Sequence, residues 1–288
     1  MLSVFGTAQN LRRTLIRMLT LIALGYLLVG PTGLTFAQTP EERVWQQFLQ
    51  WLPTAPPTDT PAPIYAQYKA RLVAAGASEA DADKQLAIIR QMMRTRPEGR
   101  RMMFNNIYLS APGFNTKPNA LLVSAVKGRK PGRALDVGMG QGRNAVFLAV
   151  EGWDVTGFDI SDEGLKIARK DAERVGAKIN AVLQSREEFD FGAAQWDLIV
   201  ITYETIPLET PSYVKRLKDS LRPGGLIVIE SFASDSGSFN RRSVDIDPGQ
   251  LRRAFDGFRI LRFEDTVAMP DWAKENARLV RFIAEKQS

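Results

Sequence analysis

A doubly wound α/β fold with a mostly parallel sheet is what this sequence predicts, on three observations. A glycine-rich turn, Gly138-Met139-Gly140-Gln141-Gly142, joins an apolar run to a helical pattern. Apolar runs then alternate with amphipathic stretches as far as Phe232. Near the end two β-type runs, Phe258–Glu264 and Arg278–Glu285, flank a turn that holds Pro270 and Asp271.

The chain has 288 residues, enough for one large domain with an extension, and 44% of them are hydrophobic. It has no cysteine and no histidine. Disulfides, Cys/His zinc sites, cysteine nucleophiles and Ser-His triads are therefore excluded, and no metal site is expected. The formal charge is +6, but the first 37 residues contribute three arginines and no acid, which leaves +3 for the remainder. So mild a surplus argues against nucleic acid as a partner.

Those first residues read as a secretory leader, with a basic region before the apolar run Met18–Gly30. Pro31 and Gly33 break that run, and Thr35-Phe36-Ala37 offers a cleavage site before Gln38. The run is short for a bilayer span, which needs about 20 residues. Arg12-Arg13 within Leu11–Arg17 also resembles a twin-arginine export signal. Export to the cell envelope, as a periplasmic protein, is thus expected; a cytoplasmic protein is the alternative. Membrane contact is expected only through the leader, if it is uncleaved.

Residues 38–110 read as a helical extension. Thr39-Pro40-Glu41-Glu42 is a helix start, with Trp45, Phe48 and Leu52 as its buried face. The Pro-rich segment 53–63 reads as an extended linker. Helices are expected over Ile64–Ala75 and after the Ser78 cap, and the methionine pairs Met92-Met93 and Met102-Met103 as packing. Arg100–Pro131 reads as a loop-rich lead-in with Phe104, Tyr108, Phe114 and Asn115, closing on a helix over Asn119–Lys127.

The glycine turn has a specific chemistry. Glycines spaced G-x-G-x-G allow φ > 0 and remove each Cβ that would hold a ligand off the main chain. The amides opening the next helix then face the ligand. Asp159 ends the second apolar run, 21 residues past Gly138, where a carboxylate can accept from both ribose hydroxyls. A dinucleotide fingerprint would place its third glycine at Arg143, and would not need Asp136 in the strand before the turn.

The run LDVGMGQGRNAVFLA, followed by GWDVTGFDIS, resembles class I S-adenosylmethionine (SAM)-dependent methyltransferases, and among them the tellurite-resistance type. Leu221-Arg222-Pro223-Gly224-Gly225 resembles the turn before the fifth strand in that family. The resemblance implies a Rossmann-like domain over 111–288, a seven-stranded, mostly parallel sheet with an antiparallel last strand. It implies SAM as cofactor and methyl transfer (EC 2.1.1) to a small-molecule or oxyanion acceptor. By the same resemblance Gly138, Gly140 and Gly142 approach the methionine part, and Asp136 orients its amino group. Asp159 then holds the ribose, and Ile160 lies against adenine. Amides of Arg186 and Glu187 are candidates for reading the adenine amino group, since Ser185 stands where the family has an acid; a solvated face is the alternative there.

In-line methyl transfer needs no covalent intermediate, so the missing His and Cys are no obstacle. Thr202, Tyr203 and Glu204 after the fourth strand are the acceptor-side candidates, with the loop 233–240 nearby. Ile201-Thr202-Tyr203-Glu204 replaces the [DN]-P-P-[FY] motif, which argues against a DNA adenine enzyme. The rival readings are a non-catalytic exported nucleoside- or metabolite-binding protein and an aminopropyl transferase. Export and a cytosolic SAM supply are in tension. Neither the acceptor nor the oligomeric state is legible in the sequence.

Overall fold

The structure, a computed structural model, describes residues 38–110, 115–234, 244–271 and 275–287. The leader with its cleavage site, Phe114 and most of the loop 233–240 lie outside the described residues. The chain divides into two units between Arg43 and Val44, and of the first only residues 38–43 are described. In the first, Thr39 Oγ1 accepts from the amide of Glu42 at 3.1 Å and opens helix α1 (Pro40–Trp51).

The second unit begins with a helical layer: the rest of α1, then α2 (Pro61–Ala74), α3 (Glu79–Thr95) and α4 (Pro97–Tyr108). Ser78 caps α3 by accepting from Asp81. Trp45, Phe48, Ile64, Tyr68, Ile89 and Ile107 fuse these helices into one apolar cluster, with Met93 and Met103 filling gaps.

Two segments differ from the sequence reading. The linker is shorter than 53–63: Leu52–Thr54 is a 3₁₀ turn and α2 already starts at Pro61, because proline at the first helical position loses no needed donor. Asn106 pins the segment, donating to Ala55 O at 2.9 Å and accepting from the Thr58 amide at 3.3 Å. Arg100–Tyr108 is helix, not loop. Gly99 and the pair Asn105-Asn106 weaken its helical pattern locally. Tertiary contacts need those residues: a Cβ on Gly99 would meet Met93 Sδ at 2.7 Å and the Trp45 ring.

After α5 (Ala120–Val126), capped by Asn119, the sheet alternates with helices. Its strands are β1 (Arg133–Val137), β2 (Asp154–Asp159), β3 (Asn180–Leu183), β4 (Trp196–Thr202), β5 (Leu221–Phe232), β6 (Phe258–Ala268) and β7 (Ala277–Lys286). The helices between them are α6 (Arg143–Val150), α7 (Asp162–Arg174), α8 (Pro211–Ser220) and α9 (Pro248–Ala254). Among the described residues the seven-stranded order is β3-β2-β1-β4-β5-β7-β6. β7 runs antiparallel to both β5 and β6, and the other pairings are parallel.

Side chains alternate across the sheet. Leu135, Val137, Ile199, Ile201, Ile227 and Ile229 face α8 and α9. Ala134, Leu198, Val200, Leu226 and Val228 face α5, α6 and α7. Each buried aliphatic chain stabilises the fold by about 1.5–3 kcal/mol. β5 begins earlier than its apolar run, because Leu221 already pairs with Trp196 across an irregularity at Gly224, φ +77°.

Candidate active site

Both turns that follow the central strands meet at the carboxyl ends of β1 and β2, where open α/β sheets bind ligands. Gly138, Gly140 and Gly142 all have positive φ, at +65°, +53° and +77°. Gly142 also caps α6. The three have different neighbours. A Cβ on Gly142 would meet Ala168 Cβ at 2.7 Å, so that glycine lets α7 pack closely. One on Gly138 would meet Glu204 Oε2 at 2.7 Å, and one on Gly140 would meet the Tyr108 hydroxyl.

Asp136 sits in β1 between Gly157 of β2 and Val200 of β4 and is only 2% exposed. Its Oδ2 has no hydrogen-bond partner. Burial pushes its carboxyl up from 3.8 to about 7, against the lowering by the Arg143 charge and the Ala145 amide. Such an orphaned acceptor is costly unless a ligand donor meets it.

Asp159 is 8% exposed. Its Oδ2 accepts from the Gly140 amide at 2.8 Å and its Oδ1 from the Ser161 amide at 2.7 Å. The side chain therefore clamps the β1–α6 turn to the β2–α7 turn, and two of its lone-pair sites remain. Burial raises its pKa to about 7; the Ser161 and Gly140 amides lower it, and Glu204 raises it. Ile160 follows, half-buried.

Arg186 and Glu187 lie in the turn after β3, where their side chains are engaged in ion pairs. Arg186 Nη1 donates to Glu204 Oε1 at 2.8 Å, and Arg186 Nε lies 3.3 Å from Glu187 Oε1. Glu187 in turn accepts from Arg100 Nη2 of α4 on both oxygens, at 2.9 and 2.8 Å. An ionic chain thus runs from α4 to the carboxylate over Gly138.

Tyr203 follows β4 directly with φ +56°, a strained value for a bulky residue. Its amide donates to Glu230 O at 2.9 Å and its hydroxyl to Glu230 Oε1 at 2.7 Å. Burial first, and then the Glu230 charge, hold that hydroxyl's pKa above its ordinary value. Glu230 is 1% exposed and also accepts from Asn119 Nδ2 at 2.9 Å and Arg281 Nε at 2.7 Å. Asn119 Nδ2 donates further to Asp271 Oδ2 at 2.6 Å, which Arg143 reaches at 3.1 Å. Asn144 joins Thr202 Oγ1 at 3.0 Å to the amide of Asn119 at 2.9 Å.

The structure brings Asp136, Gly138, Gly140, Asp159 and Glu204 together. It sets Gly142 one layer back against α7. Sequence reasoning missed Asn119, Asn144 and Asp271 as members of the neighbouring network. Glu230 carried a usable signal, an acid inside an apolar strand, as Asp136 does. Among the described residues, no group of three or more Asp and Glu is placed to hold a metal ion, and no helix is long and apolar enough to cross a membrane.

Comparison with known proteins agrees with this geometry. Residues 134–225 match a family model described as a methyltransferase domain. The protein named probable S-adenosyl-L-methionine-dependent methyltransferase TehB, from Haemophilus influenzae (strain ATCC 51907 / DSM 11121 / KW20 / Rd), is 26% identical over 183 residues, 60% of this chain and 62% of that protein. A ubiquinone biosynthesis O-methyltransferase of Photobacterium profundum is 48% identical over 56 residues, 19% of this chain and 24% of that protein. The chain spans 62%, 57% and 53% of the length of three curated relatives that it matches. The crystal structure of TehB from Haemophilus influenzae shares the fold, with a TM-score of 0.52 at 20% identity, covering 65% of this chain and 67% of that one. With the glycine turn, its two buried acids and the reversed seventh strand in place, the chain is similar to methyltransferase domains over residues 134–225 and resembles the SAM-dependent methyltransferase TehB over about 60% of its length.

Proposed function

We propose that this protein binds SAM over the glycine turn and transfers its methyl group to a small-molecule or oxyanion acceptor. The observation that carries the reading is the buried, unpartnered Oδ2 of Asp136, an acceptor at the floor of a glycine cradle. An α-ammonium group is the donor that suits it. Asp159 would hold the ribose with the lone pairs left by Gly140 and Ser161, and Ile160 would flank the adenine.

When bound, SAM supplies an electrophilic methyl group on a sulfonium. The chain's task is to place the nucleophile about 3 Å from that carbon and to exclude water. Tyr203 and Glu204, at the end of β4, stand on the acceptor side. The hydrogen bonds of Tyr203 to Glu230 fix its ring there. An oxyanion acceptor arrives deprotonated and needs no base. A hydroxyl acceptor would pass its proton to Glu204 once that carboxylate has moved off Gly138. The likeness to TehB and to an O-methyltransferase supports this class of reaction.

Calorimetric titration with SAM, S-adenosylhomocysteine (SAH) and NAD tests the cofactor. Binding of SAM and SAH at about micromolar level, and none of NAD, is expected for affinities of about −8 kcal/mol. Tighter binding of NAD ends the reading. Release of SAH in the presence of tellurite, selenite, small thiols or phenols then identifies the acceptor class.

We propose further that residues 1–37 direct export and are removed after Ala37, on the strength of the basic region, the short apolar run and Thr35-Phe36-Ala37. N-terminal sequencing of protein from fractionated cells decides it. Intact protein in the cytosol overturns export and leaves the cofactor reading untouched.

A further inference from the structure

We propose that α4 is a built-in competitor for the cofactor site, so that SAM enters only as the end of this helix withdraws. The inference rests on the reading that the glycine turn binds SAM. Two side chains fill the space directly over the turn. The Tyr108 ring is slotted between two glycines: its hydroxyl takes the place of a Cβ on Gly140, and its Cε2 lies 2.9 Å from the place of a Cβ on Gly164. Glu204 covers Gly138, with Oε2 and Cγ at 2.7 and 2.8 Å from the place of its Cβ. A ligand resting on the main chain of Gly138 and Gly140, and reaching Asp136 and Asp159, needs that same volume.

Both occupants depend on α4. Tyr108 is its last residue. Glu204 is tied to it through Arg186, Glu187 and Arg100, all within ion-pair distance. Withdrawal of α4 would therefore remove the ring from Gly140 and slacken the chain of charges that holds the carboxylate over Gly138. The helix is docked by polar bonds that can be exchanged for water. Asn105 accepts from Ser161 Oγ at 2.7 Å and donates to Asp162 Oδ1 at 2.7 Å, and Arg101 reaches the same oxygen at 3.2 Å. These anchors lie immediately after Asp159 and Ile160, so the docking site of α4 and the ribose–adenine side of the cofactor site adjoin. Burial together with the charges of Asp159 and Glu204 keeps the Tyr108 phenol neutral, as a plug beside two acids requires.

A self-occupied site lowers apparent affinity by the fraction of molecules that are open. SAH, titrated calorimetrically into the full chain, should bind Tyr108→Ala about tenfold more tightly than wild type if about one molecule in ten is open. In wild type, SAH should speed amide hydrogen exchange in residues 97–108. Equal or weaker binding by Tyr108→Ala overturns the proposal. So does slower exchange of α4 with SAH bound, which would make Tyr108 a wall that closes on the ligand. The exchange measurement uses wild-type protein and decides the matter even if the variant does not fold. Failure of wild type and variant alike to bind SAH would instead overturn the cofactor reading, and the plug with it.

Discussion

Two buried carboxylates of similar setting differ in how they are satisfied. Asp136 and Glu230 each interrupt an apolar strand, in β1 and β5, and each is at most 2% exposed. Glu230 accepts from a tyrosine hydroxyl, an asparagine amide and an arginine, whereas Asp136 keeps one oxygen without any partner. A fully bonded buried acid holds a frame together. An under-bonded one is strained until a ligand arrives, and Asp159, with both oxygens on main-chain amides and lone pairs to spare, lies between the two.

The largest expected effect is on the frame. Glu230→Ala leaves Arg281, Asn119 and Tyr203 without their shared acceptor, and should lower stability by about 3–5 kcal/mol in chemical denaturation. A loss below about 1 kcal/mol would mean that water replaces the carboxylate freely and would break the contrast. Asp136→Asn should behave oppositely. It should weaken SAM binding at least about tenfold, for a charge-assisted bond of about 1.5–3 kcal/mol, while leaving apo stability at pH 8 equal or higher.

Asp159→Asn should do both in moderation, since an amide nitrogen or a lone oxygen then faces two main-chain donors. A drop in SAH affinity together with a loss of about 1–2 kcal/mol in stability is expected. Unchanged affinity would make Asp159 a clamp and nothing more.

The pH dependence separates the two acids of the turn from ordinary ones. Their folded pKa values are raised from 3.8 to about 7, so between those values the folded chain keeps protons that the unfolded chain has lost. Apo stability should therefore fall as pH rises from about 4 to about 7 through these groups, and Asp136→Asn should flatten that slope. SAM affinity should rise over the upper part of the same window. The smallest effect is expected for Tyr203→Phe, which removes one hydrogen bond to Glu230 and should cost about 1 kcal/mol in stability.

Much of this was legible in the chain. The strand–turn–helix around Gly138 is written in local terms, as an apolar run, spaced glycines and a terminal acid, and the caps Ser78, Asn119 and Ser161 stand where their helices begin. What was not legible depends on distant partners. Arg100–Tyr108 reads as loop, yet Asn105 binds the start of α7 and Asn106 the segment before α2. Gly142 reads as one of three equivalent glycines, and only its contact with Ala168 sets it apart. Asp271 reads as a turn residue, because its ties to Asn119 and Arg143 span more than a hundred positions.

The reversed strand has a consequence for how such a site is built. β7 returns antiparallel directly beside β6, with Ala277 paired to Ala268, so a short link joins the two strands. That tip delivers Asp271 to Asn119 and Arg143 from a part of the sheet that touches neither β1 nor β2. The geometry separates two ends of one sheet: the glycine turn rests on β1 and β2, while the polar network around Asp271 hangs from β6 and β7.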